Sequence, residues 1–289
     1  MTIDLREFAR QPRLSDGVYG TELSARGLLD GCAERLNLSD PGAVEAVARS
    51  YVDAGADVIM TNSLMAHRFG LAPHGLEGWA DRIARAAAQI SCRAARGTGA
   101  KVFGSFGPSG KVLMMGEVSE AEVAQSFAQT ASALASGGAE AIVLETFNDL
   151  AEARLALRAA KGATGLPVVV SLAFAYGPDR TCTMMGDRPE DLAAMAAAEG
   201  ADAIGANCGV GPDVAVTLAR MLRGASDLPV WIKPNAGLPV VKDGRTVFPM
   251  GPEEFASHVP AMIEAGANFI GGCCGCGPGH IAAMRARIA

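Results

Sequence analysis

Four stretches of the chain repeat one pattern of small, polar and apolar positions: AGADVI from Ala54, GGAEAI from Gly137, EGADAI from Glu199 and AGANFI from Ala265. In each, Gly-Ala and an acid or amide precede an apolar run. The Gly suits the left-handed turn that ends a helix, and the run reads as a strand buried on both faces. Ahead of three repeats the apolar positions recur at helical spacing: Val44, Val47, Ala48, Tyr51 and Val52; Val123, Phe127, Ala131 and Leu134; Phe255, Val259, Met262 and Ile263. Between the repeats lie KVFGSFG from Lys101, PVVVSLAF from Pro167 and PVWIKPNAG from Pro229, and LSDGVYG from Leu14 opens the series. These runs make eight strands.

Eight strands alternating with helices, the even-numbered ones sharing a repeat, predict an α/β chain folded as a single (βα)8 TIM barrel. A doubly wound open sheet is the competing topology. No Pro/Gly/Ser linker or shift of composition divides residues 1–289, so a single domain is expected. With 49% hydrophobic and 19% charged residues the chain suits a compact enzyme. Its net charge of −6, without a basic run, offers nothing to a nucleic acid backbone. The opening MTIDLREFARQPRL lacks the apolar centre of a secretory signal, and no stretch is apolar enough to span a bilayer. A cytoplasmic protein is therefore expected, with its seven cysteines as thiols.

Reactive groups of such a barrel sit at the C-terminal ends of its strands. Cys208 ends the sixth strand in AIGANC, and Cys273 and Cys274 end the eighth in FIGGCCG, where Gly271, Gly272 and Gly275 allow the backbone to turn. Adjacent cysteines do not readily close a disulfide with each other, but both can bind one ion. Three thiolates suit zinc, and three protein ligands with an exchangeable fourth position are a catalytic arrangement. An open position can accept a substrate thiol and lower its pKa, so that the nucleophile belongs to the substrate. Isolated cysteines such as Cys32, Cys92 and Cys182 read instead as small core hydrophobes.

The segments DGVYGTEL from Asp16, ADVIMTNS from Ala56, FGPSG from Phe106, LETF from Leu144, GANCGVGP from Gly205, KPNAGLP from Lys233 and GGCCGCGPGHI from Gly271 run through the chain in order. They resemble the homocysteine S-methyltransferase family, and more narrowly the homocysteine-binding barrel of cobalamin-dependent methionine synthase. The resemblance implies that Cys208, Cys273 and Cys274 bind Zn2+, with Asn235 as a fourth ligand before substrate arrives. It implies that Asp16, Glu145 or both bind the substrate ammonium. Backbone N–H groups beside Gly17 would take the carboxylate, and Asn207 would orient the ligands from behind or satisfy backbone.

Other signals are weaker or depart from the family. Cys276 makes the segment CCGC and adds a thiol the motif does not need. Leu64 and Met65 stand where betaine-using relatives would place an aromatic ring, so a cation–π cage is poorly provided for. SFGPSGKV fails the phosphate-loop pattern at Ser105 and Val112. Lys233 ends a strand, where it either pairs a carboxylate or forms the Schiff base of a lyase. His280 is a rival fourth ligand or part of a helix start; His67, His74 and His258 read as surface residues. The expected partners are homocysteine and an external methyl donor: a separate methyl-corrinoid protein, a small sulfonium or betaine. A zinc-binding or thiol-sensing barrel without turnover is the alternative in another class.

Overall fold

The computed structural model describes residues 2–29, 31–242 and 245–288. Each apolar run predicted to be a strand contains one: β1 (Arg13–Leu14), β2 (Val58–Ile59), β3 (Lys101–Phe106), β4 (Ala141–Phe147), β5 (Val168–Leu172), β6 (Ala203–Asn207), β7 (Val230–Lys233) and, after a hairpin of β8 (Val240–Lys242) and β9 (Arg245–Val247), β10 (Phe269–Ile270). The barrel strands pair in parallel in the order β1-β10-β7-β6-β5-β4-β3-β2. A bridge between Ser15 and Val58 joins β1 to β2 and closes the ring. The chain is a (βα)8 barrel, not an open sheet.

The repeated motif has a structural reason. Its glycines, Gly55, Gly138, Gly200 and Gly266, all have positive φ, which turns each helix into the next strand. The acid or amide two residues on then clasps the preceding strand at two points. Asp57 accepts the N–H of Leu14 at 2.8 Å and returns its own N–H to the Leu14 carbonyl at 2.7 Å. Glu140 does the same with Val102, Asp202 with Val168, and Asn268 with Val230. Four strand pairs are thus fixed in register by the same two-point contact near the start of the strands.

Two cores fill the molecule. The larger lies between sheet and helices, where Val44, Val47, Tyr51, Val123, Phe127 and Leu134 of the predicted helical stripes are fully buried. The smaller fills the barrel, with Phe103, Trp231 and Phe269 meeting at ring separations of 5.3 to 6.3 Å. A short helix, Leu5–Phe8, capped by Asp4, packs Leu5 into this interior as a floor. The floor and the hairpin were not expected. The stripe from Phe255 to Ile263 forms two helices, Pro252–Ala256 and Val259–Glu264, rather than one. Pro260, which has no N–H to give, falls at the start of the second. Among the described residues, no helix is long and apolar enough to cross a membrane.

Leu5→Ala should lower the unfolding free energy by about 2–5 kcal/mol, whereas Leu238→Ala, at an exposed position, should stay within about 0.5 kcal/mol of the parent. Urea titrations followed by circular dichroism would measure both. Equal losses would contradict the floor's role.

Candidate metal centre

Three sulfurs converge at the C-terminal mouth of the barrel. Cys208 follows β6 with φ of 63°, an orientation uncommon for a residue with a side chain, and its N–H is held by the Lys233 carbonyl at 3.1 Å. Cys273 and Cys274 follow β10 on a segment pinned to its neighbours. Gly272 donates to the Asp16 carbonyl, Cys273 to Pro234, and Cys274 to the Asn235 side-chain oxygen at 3.1 Å, while Ala236 donates to Cys274. Gly271 and Gly272 are needed for closeness, not for torsional freedom: a Cβ would stand 2.9 Å from the Asp16 carbonyl oxygen and 2.3 Å from Cys276 Cβ respectively. Gly275 alone of the three has a positive φ, 85°.

The Sγ atoms of Cys208, Cys273 and Cys274 all lie within 4.8 Å of one another, and Cys208 and Cys274 are 3.9 Å apart. Four ligands around an ion at a Zn–S distance of about 2.3 Å would set sulfurs about 3.8 Å apart. The donor set therefore fits a thiophilic ion with little rearrangement. Hydrogen bonds from Cys273 and then Cys274 hold the Cys208 thiol down at about 3. Those same bonds leave their donors protonated: Cys273 is pushed well up, and Cys274 to about 12, chiefly by its contact with Cys208. All seven cysteines are free thiols, and Cys276 is buried outside the converging trio, its thiol pushed up to about 12 by burial.

Beside the sulfurs lies a cavity of about 180 Å³, lined by Gly17, Tyr19, Glu34, Asn62, Glu145 and Thr146 among others. That is small for a pocket and suits a compact ligand. An open cleft of about 520 Å³ at the barrel floor is larger but lies among Thr2–Arg6, Lys161 and Asp202, away from the thiols. Glu145 is 8% exposed; burial pushes its carboxyl up, against the opposing pull of Lys233 and a hydrogen bond from Ser105.

Other residues singled out in the sequence have different surroundings. Asp16 is fully buried and does not line the cavity. One of its oxygens meets Lys233 Nζ at 2.8 Å and Ser15 Oγ at 3.2 Å, and the other accepts the Met60 N–H at 2.7 Å. Lys233, 1% exposed, is thereby the carboxylate's partner rather than an open amine. Asn207 directs its amide away from the sulfurs to Thr146 and Ser171. Asn235 rests against the trio, its nitrogen donating toward Cys208 and its oxygen accepting from Cys274. His280 accepts the Gly277 N–H and begins a helix, Pro278–Arg285. His67, expected on the surface, is buried: it accepts the Gly70 N–H, and desolvation lowers its pKa to about 4.

The homocysteine S-methyltransferase family model matches residues 13–288. The chain is 33% identical over 294 residues to methionine synthase of Mycobacterium tuberculosis, a match covering 96% of this chain and 24% of that protein. It thus spans about a quarter of the length of the curated relatives it matches. Among solved structures it is similar to the homocysteine methyltransferase MmuM from Escherichia coli. The oxidised and metallated forms each match at 25% identity and a TM-score of 0.80, covering 98% of this chain and 98% and 99% of theirs.

Lys233→Met would leave the Asp16 carboxylate enclosed without its cation, and a loss of about 3–5 kcal/mol is expected in chemical denaturation. Removing both charges, in Asp16→Asn with Lys233→Met, should recover a large part of it. A single variant as stable as the parent would show that the pair contributes nothing.

Proposed function

Because this chain belongs to the homocysteine S-methyltransferase family, we propose that it is a zinc-dependent enzyme that methylates the thiol of L-homocysteine, giving methionine. The single observation that carries the reading is the convergence of Cys208, Cys273 and Cys274 within 4.8 Å beside a small cavity. These three residues would hold Zn2+, with Asn235 as a fourth donor until substrate arrives. The bound ion would supply Lewis acidity, which keeps a coordinated thiol ionised at neutral pH.

The remaining residues bind and orient. Glu145, facing the cavity, takes the substrate ammonium, and backbone N–H groups beside Gly17 take its carboxylate. Asp16 acts from behind the wall, holding Lys233 and the Met60 backbone in place. Burial of Glu145 suits a cationic partner, since an ammonium delivered next to a desolvated carboxylate favours its charged form. The whole barrel serves as one homocysteine-binding domain, at work in the reducing cytoplasm, where the thiols stay available.

The methyl donor comes from outside this barrel: a methylated corrinoid carried on a separate protein, a small sulfonium of the S-methylmethionine kind, or betaine in that order. Among the rings of the described residues, Tyr19 alone lines the cavity, which leaves little of a cage for a quaternary ammonium.

The purified protein should carry about one zinc per chain, with coordination by three cysteines. Cys273→Ala is expected to lose both the metal and the methylation of homocysteine with every donor. Retention of both would end the proposal. Turnover with a sulfonium alone would remove the need for a corrinoid partner.

A further inference from the structure

Along β4 the side chains alternate as a strand requires: Ala141 and Val143 point into the barrel interior, and Ile142 and Leu144 toward the helices. Continued alternation would put Phe147 inside. It packs instead on the helix side against Phe127, at a ring separation of 5.9 Å. The pairing with β5 shifts between Leu144 and Phe147, where two residues, Glu145 and Thr146, stand opposite Ser171 alone. This is a β-bulge, and it lets two successive residues face the cavity.

Such a bulge is costly. Thr146 is β-branched yet has φ of 65°, a conformation that costs on the order of 1–3 kcal/mol outside glycine, and a bulged residue's N–H lacks a ladder partner. One side chain answers both needs. The Asn207 oxygen accepts the Thr146 N–H at 2.9 Å and the Ser171 hydroxyl at 2.7 Å, while its nitrogen donates to Thr146 Oγ1 at 2.7 Å. Asn207 is 2% exposed, sits at the end of β6 and immediately precedes Cys208.

We infer that Asn207 is a positioning residue for substrate selection: by clamping Thr146 it holds Glu145 in the cavity at a set distance from the sulfurs, so that thiols bearing an ammonium are preferred. The inference rests on the proposed function and names the group behind its substrate preference. It assigns Asn207 no contact with substrate.

The test compares binding of L-homocysteine with that of 4-mercaptobutanoate, which lacks the ammonium, to the zinc-loaded protein by calorimetry. The parent should prefer homocysteine, and Glu145→Gln should reduce that preference by about tenfold, the loss of one charged hydrogen bond. Asn207→Ala should reduce it to a similar extent, with zinc content unchanged and 4-mercaptobutanoate affinity within about twofold of the parent. Adding Thr146→Gly to Asn207→Ala should restore part of the preference, since glycine takes a positive φ without a clamp. Thr146→Ala, which removes a single hydrogen bond, is the milder variant should Asn207→Ala fail to fold; a reduction of about threefold is expected.

An unchanged preference in Asn207→Ala or, where that fails to fold, in Thr146→Ala overturns the inference, as does equal weakening of both thiols or a Gly variant without recovery. In those cases a parent that selects homocysteine through Glu145 leaves the proposed function standing. A parent that binds neither thiol overturns both.

Discussion

The strands that supply the three sulfurs are not neighbours. β7 lies between β6 and β10, so at the ordinary strand spacing their ends start about 9–10 Å apart, whereas the sulfurs meet within 4.8 Å. Both strand ends must therefore bend inward across the end of β7. The left-handed turn at Cys208 makes one bend, and the Gly271–Gly272 segment, pressed against Asp16 and Cys276, makes the other. The end of β7 and the two residues after it supply the anchors: the Lys233 carbonyl holds Cys208, and Pro234 and Asn235 hold Cys273 and Cys274. The identity of Lys233 matters for a second reason, because its side chain fixes Asp16, whose carbonyl in turn holds Gly272.

This constraint divides the barrel by function. Near the start of the strands, four equivalent clasps between an acid or amide and the preceding strand repeat without strain, and the interior is filled with large rings over the Leu5 floor. The mouth contains what would be avoided elsewhere: positive φ at Thr146 and Cys208, an enclosed ion pair, a desolvated carboxylate and crowded thiols. Strain and buried charge persist only where surrounding structure outweighs them. The clasped strands provide that surplus.

The eight strands and the sulfur trio were legible because each leaves a local mark: a repeated Gly-Ala-acid motif, apolar runs, and cysteines at predicted strand ends. What escaped depended on partners far along the chain. A carboxylate partner for Lys233 was expected, but which one was not legible: it is Asp16, 217 residues away. Thr146 is β-branched, a type that argues against its positive φ, and the side chain that takes its N–H, Asn207, lies 61 residues later. The Leu5–Phe8 helix is one turn long, too short for periodicity to show, and its burial follows only once a barrel exists to receive it. His67 read as surface because a lone histidine carries no pattern, yet it lies against Phe127 in the core.

Charge balance explains why the cavity presents Glu145 while Asp16 stays behind the wall. Asp16 and Lys233 neutralise one another out of water, so together they offer little net attraction to an incoming ion. Glu145 sees Lys233 only as a more distant influence that opposes its desolvation. Without Lys233, Asp16 and Glu145 would repel each other, and one would hold a proton, removing its attraction for an ammonium. Lys233 takes up the charge of Asp16, while Glu145 faces the cavity together with Glu34, whose oxygens accept the Met65 N–H and the Cys32 thiol. On the proposed reading Glu145 meets the positive charge of an amino acid thiol, and its position, set by the bulge in β4, is the feature on which ammonium selection turns.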